Sequence, residues 1–158
     1  RDLGPTGLIR YRYDDMRAGD YLEAWVAHLF LNAAQLPLDQ RHTVWHARDG
    51  RVAFPPVEQA HLRLQELLEL YREGLNRPVH FFPKAALAFQ QGGGSLADAR
   101  RAWRPAQPHA RGESGDPSYR LALRGLDDPL DEDFMRCART VFEPLLKHLH
   151  HARVQEPA

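Results

Sequence analysis

Lys84 and Lys147 are the only lysines in the 158 residues, and their neighbours decide much of the chemistry open to this chain. Metal-dependent phosphodiester hydrolysis of the two-carboxylate kind sets an acid on one strand and Asp/Glu-x-Lys on the next. The acids hold a divalent ion that acidifies the attacking water, and the lysine positions that water. Here Phe82 stands two residues before Lys84 and Leu145 two before Lys147, so the motif is absent from the whole chain. The glycine cluster Gly92–Ser95 is followed by no lysine, as a phosphate loop would require, and reads as a loop. His148 and His151 fall on one side at helical spacing and suggest a metal site, but no nearby Cys, Asp or Glu completes it. They read as a solvated basic helix end. Cys137 lies on an apolar stripe as a small core residue. As a lone cysteine it excludes an intrachain disulfide, which suits a reducing cytoplasm. No cofactor, metal site or catalytic residue is expected.

Two basic-aromatic spots remain as candidate contacts for DNA or a partner. In GLIRYRY (7–13), Arg10 and Arg12 alternate with Tyr11 and Tyr13, a pattern that can bind phosphate and stack bases. The plainer reading is a half-exposed strand whose tyrosines pack inward. Arg100, Arg101 and Arg104 surround Trp103, and that composition fits a protein interface as well as DNA. With 21 acids balancing 21 bases, the chain exerts no general pull on a polyanion, so any such contact is local.

The elements that must position these residues follow from periodicity and punctuation. The length fits one domain with a core of its own, and no apolar run nears the roughly 18 residues of a membrane span. The start at Arg1 rather than Met points to a fragment of a longer protein. GLIRYRY alternates as a strand. Asp20-x-x-Glu23 reads as a capping box for a helix that buries Leu22, Trp25, Val26, Leu29, Phe30 and Ala33 against a sheet. His42–Ala47 and Arg51–Phe54 form a hairpin through Asp49-Gly50. A helix from Val57 aligns Ala60, Leu64, Leu67, Leu68, Tyr71 and Leu75, after which Pro78 opens a core strand ending at the Phe81-Phe82-Pro83 bend. A short helix over 84–91 stops at the glycines, and Ser95-x-x-Asp98 caps another that ends near Trp103. Residues 104–117 are Pro- and Gly-rich and read as a mobile loop, and Ser118–Arg124 alternates as a strand. A last helix from Asp131 carries Phe134, Cys137, Ala138, Val141, Phe142, Leu145, Leu146 and Leu149 on its core face, with a kink at Pro144. The sum is an α/β domain with a small mixed sheet flanked by helices.

The ordered set of these pieces is similar to the C-terminal domain of the exodeoxyribonuclease V gamma-chain family, RecC, of bacterial RecBCD helicase-nucleases. The carriers are LEAWVAHLFLNAA (22–34), RVAFPP with EQAHLRLQELLELYREGL, PVHFFPKAALAF, Trp103, GESGDPSYRLALRG (112–125) and VFEPLL (141–146), spanning roughly residues 7–149. The resemblance implies a PD-(D/E)xK nuclease-like fold that has lost its catalytic residues, with Arg10-Tyr11-Arg12 on a core strand in place of acid-x-lysine. It further implies a cytoplasmic, non-catalytic domain that docks the alpha and beta chains of the complex. Double- and single-stranded DNA would be met through that complex during break repair, recombination and the response to Chi. Two other readings stay open. One is a stand-alone nucleic-acid-binding module acting through Arg10 and Arg12. The other is a metal-dependent nuclease with unusual ligands such as Asp14, Asp15 and distant histidines.

Overall fold

A computed structural model describes residues 2–5, 7–34, 36–104, 112–126 and 128–152. The chain forms two compact units, residues 1–65 with 145–158 and residues 66–144.

The first unit is built on a mixed five-stranded sheet: β1 (Asp2–Gly4), β2 (Gly7–Tyr11), β3 (His42–Ala47), β4 (Gly50–Phe54) and β5 (His150–Ala152), paired in that order. The small mixed α/β sheet expected from the sequence is therefore present. β2 and β3 run parallel and the other pairs are antiparallel. A parallel pair needs a long crossover, which α1 (Ala18–Ala33) and a 3-10 turn at Leu38–Gln40 supply. The hairpin joins β3 to β4 with Ala47 opposite Gly50, so its two loop residues are Arg48 and Asp49. Gly7 opens β2 at φ 124°, and a Cβ there would sit 2.0 Å from the His42 carbonyl oxygen. Glycine is thus required where the two parallel strands meet.

Helix α1 starts two residues before the expected cap. Asp20 acts inside its first turn, accepting the Arg17 N–H at 2.8 Å. It covers one face of the sheet with Tyr21, Trp25, His28 and Leu29, against Trp45, Val52 and Phe54. Trp25 lies 5.5 Å from the Phe54 ring and 5.5 Å from that of His148. The expected buried stripe is rotated, leaving Val26 and Phe30 37% and 61% exposed. Its polar members explain why. His28 is fully buried, with Nε2 and Nδ1 each 2.9 Å from an oxygen, the Pro55 carbonyl and the Thr43 hydroxyl respectively. A carbonyl can only accept, so Nε2 carries the proton and Nδ1 takes the Thr43 hydroxyl. Asn32, one turn on, donates to the His28 carbonyl and accepts the Val57 N–H at 2.9 Å. These bonds fix which helix face turns inward.

In the second unit, Phe82, Phe89, Trp103 and Phe134 form an aromatic core, with the rings of Phe82 and Trp103 4.3 Å apart. α3 (Pro83–Gln91) and α4 (Leu96–Trp103) end and begin as expected. Gly93 and Gly94 take positive φ after α3, and the Ser95 hydroxyl accepts the Asp98 N–H. α6 (Glu132–His148), which belongs to this unit up to Pro144 and to the first from Leu145, buries Phe134, Cys137, Ala138, Val141, Phe142 and Leu145. Burial pushes the Cys137 thiol up to about 11, so it is unreactive. Glu73 and Asp133 bind Arg77 and Arg136 in a four-residue ion network, with Asp133 Oδ2 at 3.0 Å from Arg77.

Other expectations are corrected. Pro78 opens no strand: the Phe81 N–H closes back on the Val79 carbonyl at 2.9 Å, and Pro83 begins α3. Ser118–Arg124 is no strand either, because Asp116 accepts the Ser118 N–H and Pro117 occupies the first turn of α5 (Pro117–Ala122). α2 runs from Ala60 to Asn76, and Leu68, Tyr71 and Leu75 on its stripe are more than half exposed. His148 ends α6 while His151 lies on β5, so they do not share a helical face. Of the loop expected at 104–117, residues 105–111 lie outside the described residues, and Glu113–Gly115 forms a 3-10 turn.

Candidate functional site

β2 and the start of α1 bring the first basic-aromatic spot together, but inverted. Arg10 points to the helix-covered face, its guanidinium 5.2 Å from the Trp45 ring centre and paired with Glu23. Its side chain is 14% exposed, and its Nε has no hydrogen-bond partner. Arg12 binds Asp20 at 2.8 Å and donates Nε–H to the Asp15 carbonyl at 3.0 Å. Both guanidinium groups are committed inside the protein. The tyrosines expected to pack inward do the opposite: Tyr11 is 69% exposed and Tyr13 fully exposed. Burying Arg10 over Trp45 beside Glu23 turns the alternate residues outward.

Asp14 and Asp15, the ligands required by a nuclease reading, sit at the far end of β2 among arginines. Arg48 grips Asp15 through two bonds of 2.8 and 2.7 Å, and lies 3.3 Å from Asp14. The Asp15 N–H and then Arg17 hold Asp14 below the usual carboxylate range, and Arg48 does the same for Asp15. Asp49 accepts the Met16 N–H at 3.2 Å. These lone pairs are engaged by cationic and backbone donors, an arrangement that ties the segment after β2 to the β3–β4 turn rather than binding a metal ion. Among the described residues, no group of three or more His, Cys, Asp or Glu could hold a metal.

The second spot comes apart. Trp103 is buried against Phe82 and Tyr119. Arg100 pairs with Asp128 at 3.0 Å and Arg101 with Asp98. Arg104 is exposed and shares a hollow of about 370 Å³ with Arg100, Trp103 and Asp128.

Two features escaped the sequence. An open apolar groove of about 720 Å³ lies on the first unit, lined by Leu3, Leu8, Leu22, Val26, Phe30 and Leu31, with Arg10 and Glu23 at one side. Its signal was the width of the α1 apolar stripe, too broad for one covered face. The other is Glu113, which is buried and accepts the N–H groups of Lys84 and Ala85 at 2.9 and 2.8 Å. The N-cap of α3 is Phe82, which has no side-chain acceptor, and Pro83 has no N–H. Glu113 therefore caps α3 from a distance. Burial outweighs these bonds and raises its carboxyl above the ordinary value.

Residues 1–93, from β1 through α3, match the family described as the RecC C-terminal domain. The RecBCD enzyme subunit RecC of Escherichia coli (strain K12) is 32% identical over 87 residues, 54% of this chain and 8% of that protein. The match thus covers a small part of that relative's length.

Proposed function

The chain belongs to the RecC C-terminal domain family, and from that premise we propose that it is a non-catalytic docking domain of a RecBCD-type helicase-nuclease. In this reading it seats the alpha and beta chains, helps guide separated DNA strands, and serves break repair and recombination in the cytoplasm. Its fold would be a PD-(D/E)xK nuclease scaffold without the nuclease residues.

The observation that carries the reading is the chemistry of the sheet. Among the described residues, strands β2 to β5 contain no Asp, Glu or Lys, and the carboxylate residue on the sheet is Asp2 of edge strand β1. Both lysines lie on helices, Lys84 on α3 and Lys147 on α6. Metal-assisted hydrolysis needs acids and a lysine held rigidly on neighbouring strands, and this sheet offers arginine, histidine and aromatic residues instead. The apolar groove supports docking, since Leu3, Val26 and Phe30 leave carbon surface exposed there that a protein partner can cover. Arg100, Arg101 and Arg104 are the proposed polar contacts of the second unit. No helix among the described residues is long and apolar enough to cross a membrane.

The test is size-exclusion chromatography of this chain with the purified alpha and beta chains of its own complex, beside a Mg²⁺-dependent cleavage assay. Co-elution without cleavage is expected. Independent elution of folded chain, or cleavage lost on Asp14→Asn, would refute the proposal.

A further inference from the structure

We propose that the open face of the sheet stacks the bases of single-stranded nucleic acid, with Tyr11 and Tyr13 as the platform and Arg51 as the phosphate contact. The inference rests on the strand-guiding part of the proposed function and gives it a surface.

Strand register aligns three side chains in one row. Tyr11 lies opposite His46 on β3, and His46 lies opposite Arg51 on β4. Side chains at paired positions share a face. The adjacent row, Arg10, Trp45 and Val52, is turned to α1. The row Tyr11, His46 and Arg51 therefore stands on the opposite face. Tyr11 is already stacked, its ring 5.2 Å from His46 at 13°, leaving the other ring face to solvent at 69% exposure. One bond lies past the end of β2, Arg12 N–H to the His46 carbonyl at 2.8 Å, after which the chain bends and the Arg48 N–H reaches the Asp14 carbonyl at 3.3 Å. Tyr13 stands in that bend, two residues after Tyr11, and is fully exposed.

Two physical arguments favour a nucleic acid as the occupant. Exposed aromatics on a sheet, backed by a second ring, offer flat π-surfaces on which unpaired bases stack with little sequence preference. Charge agrees: β2 to β5 carry no acid, and the exposed groups of this face include Arg51, His42 and His150. Asp14 and Asp15, beyond the strand end, are neutralised by Arg17 and Arg48. A duplex hides its base faces, so the fit is to separated strands.

The experiment is fluorescence anisotropy of a labelled oligo(dT) titrated with the complete chain, alongside the co-elution assay above. Tyr11→Ala and Tyr13→Ala should each weaken binding by roughly 5- to 150-fold, the effect of losing one stacked base. Tyr11→Phe and Tyr11→Trp should retain it, which a hydroxyl-dependent structural role would not allow. Absent binding, or equal binding by the parent and both alanine variants, overturns the proposal. Co-elution with the partner chains without oligonucleotide binding removes this surface and leaves docking intact. Oligonucleotide binding that the alanine variants weaken, without co-elution, supports this surface and removes docking.

Discussion

His28 should make the first unit acid-sensitive well above the range in which carboxylates titrate. Burial pulls its imidazole from 6.5 down to about 4, and its neutral form is fixed by the Thr43 and Pro55 bonds. The unfolded chain takes up a proton near pH 6.5 whereas the folded chain resists until about 4. The stabilisation is therefore complete above pH 6.5, falls away as pH drops, and is gone below 4. The full interval of about 2.5 units corresponds to about 3 kcal/mol, and the loss between pH 8 and pH 5 to about 2 kcal/mol. His28→Gln is the matched control: its amide can donate to Pro55 and accept from Thr43 but does not titrate. Urea unfolding followed by tryptophan fluorescence at pH 8, 7, 6 and 5 measures both proteins. The parent should lose about 2 kcal/mol more than His28→Gln over that span. Parallel slopes would refute the assignment of His28 as a buried neutral group.

Three further outcomes follow from the packing. Gly7→Ala must displace the His42 carbonyl from a 2.0 Å approach in a conformation with φ 124°, so it should lower stability by about 3 kcal/mol or more in the same urea assay. Glu113→Ala strips the acceptor from the first turn of α3 and should cost about 2 kcal/mol, read as faster amide exchange at Lys84 and Ala85; Glu113→Gln should fall between. Phe30→Asp, at a 61% exposed position in the groove, should leave stability within about 0.5 kcal/mol yet abolish co-elution with the partner chains.

What the sequence disclosed was set by local chemistry. Ser95 capping α4 and the glycine stop after α3 depend on neighbouring residues, and both are present; the hairpin is present too, but its loop residues are Arg48 and Asp49, with Gly50 already paired on β4. Alternation in GLIRYRY gave the strand but not which face is inside, because that depends on Trp45 and Glu23, which lie far along the chain or on another element. SYRLALR satisfied a strand pattern over seven residues, yet Asp116-Pro117 before it is a helix-start signal, and the cap prevailed. Glu113 was invisible because its partners are backbone N–H groups 28 and 29 residues away. The site was less legible than the fold for the same reason: Arg10, Arg12, Arg100 and Arg101 looked like free cations, and each has a carboxylate partner.

That pairing changes the salt dependence expected of any nucleic-acid contact. A basic strand with free Arg10 and Arg12 would make binding fall steeply with salt. With those guanidinium groups satisfied internally, the sheet face offers Arg51 and a neighbouring histidine, about one or two phosphate contacts. Counterion release then gives a slope of log K against log salt of roughly −0.7 to −1.4 for a single strand, a three- to sevenfold loss between about 50 and 200 mM. Stacking is insensitive to salt, so Tyr11→Ala should lower affinity at every salt concentration while leaving the slope unchanged. Arg51→Ala should flatten the slope by about 0.7. A slope near −4, as six phosphate contacts would give, would mean that the arginines leave their carboxylates on binding, and the structural roles assigned to Arg10 and Arg12 would fail.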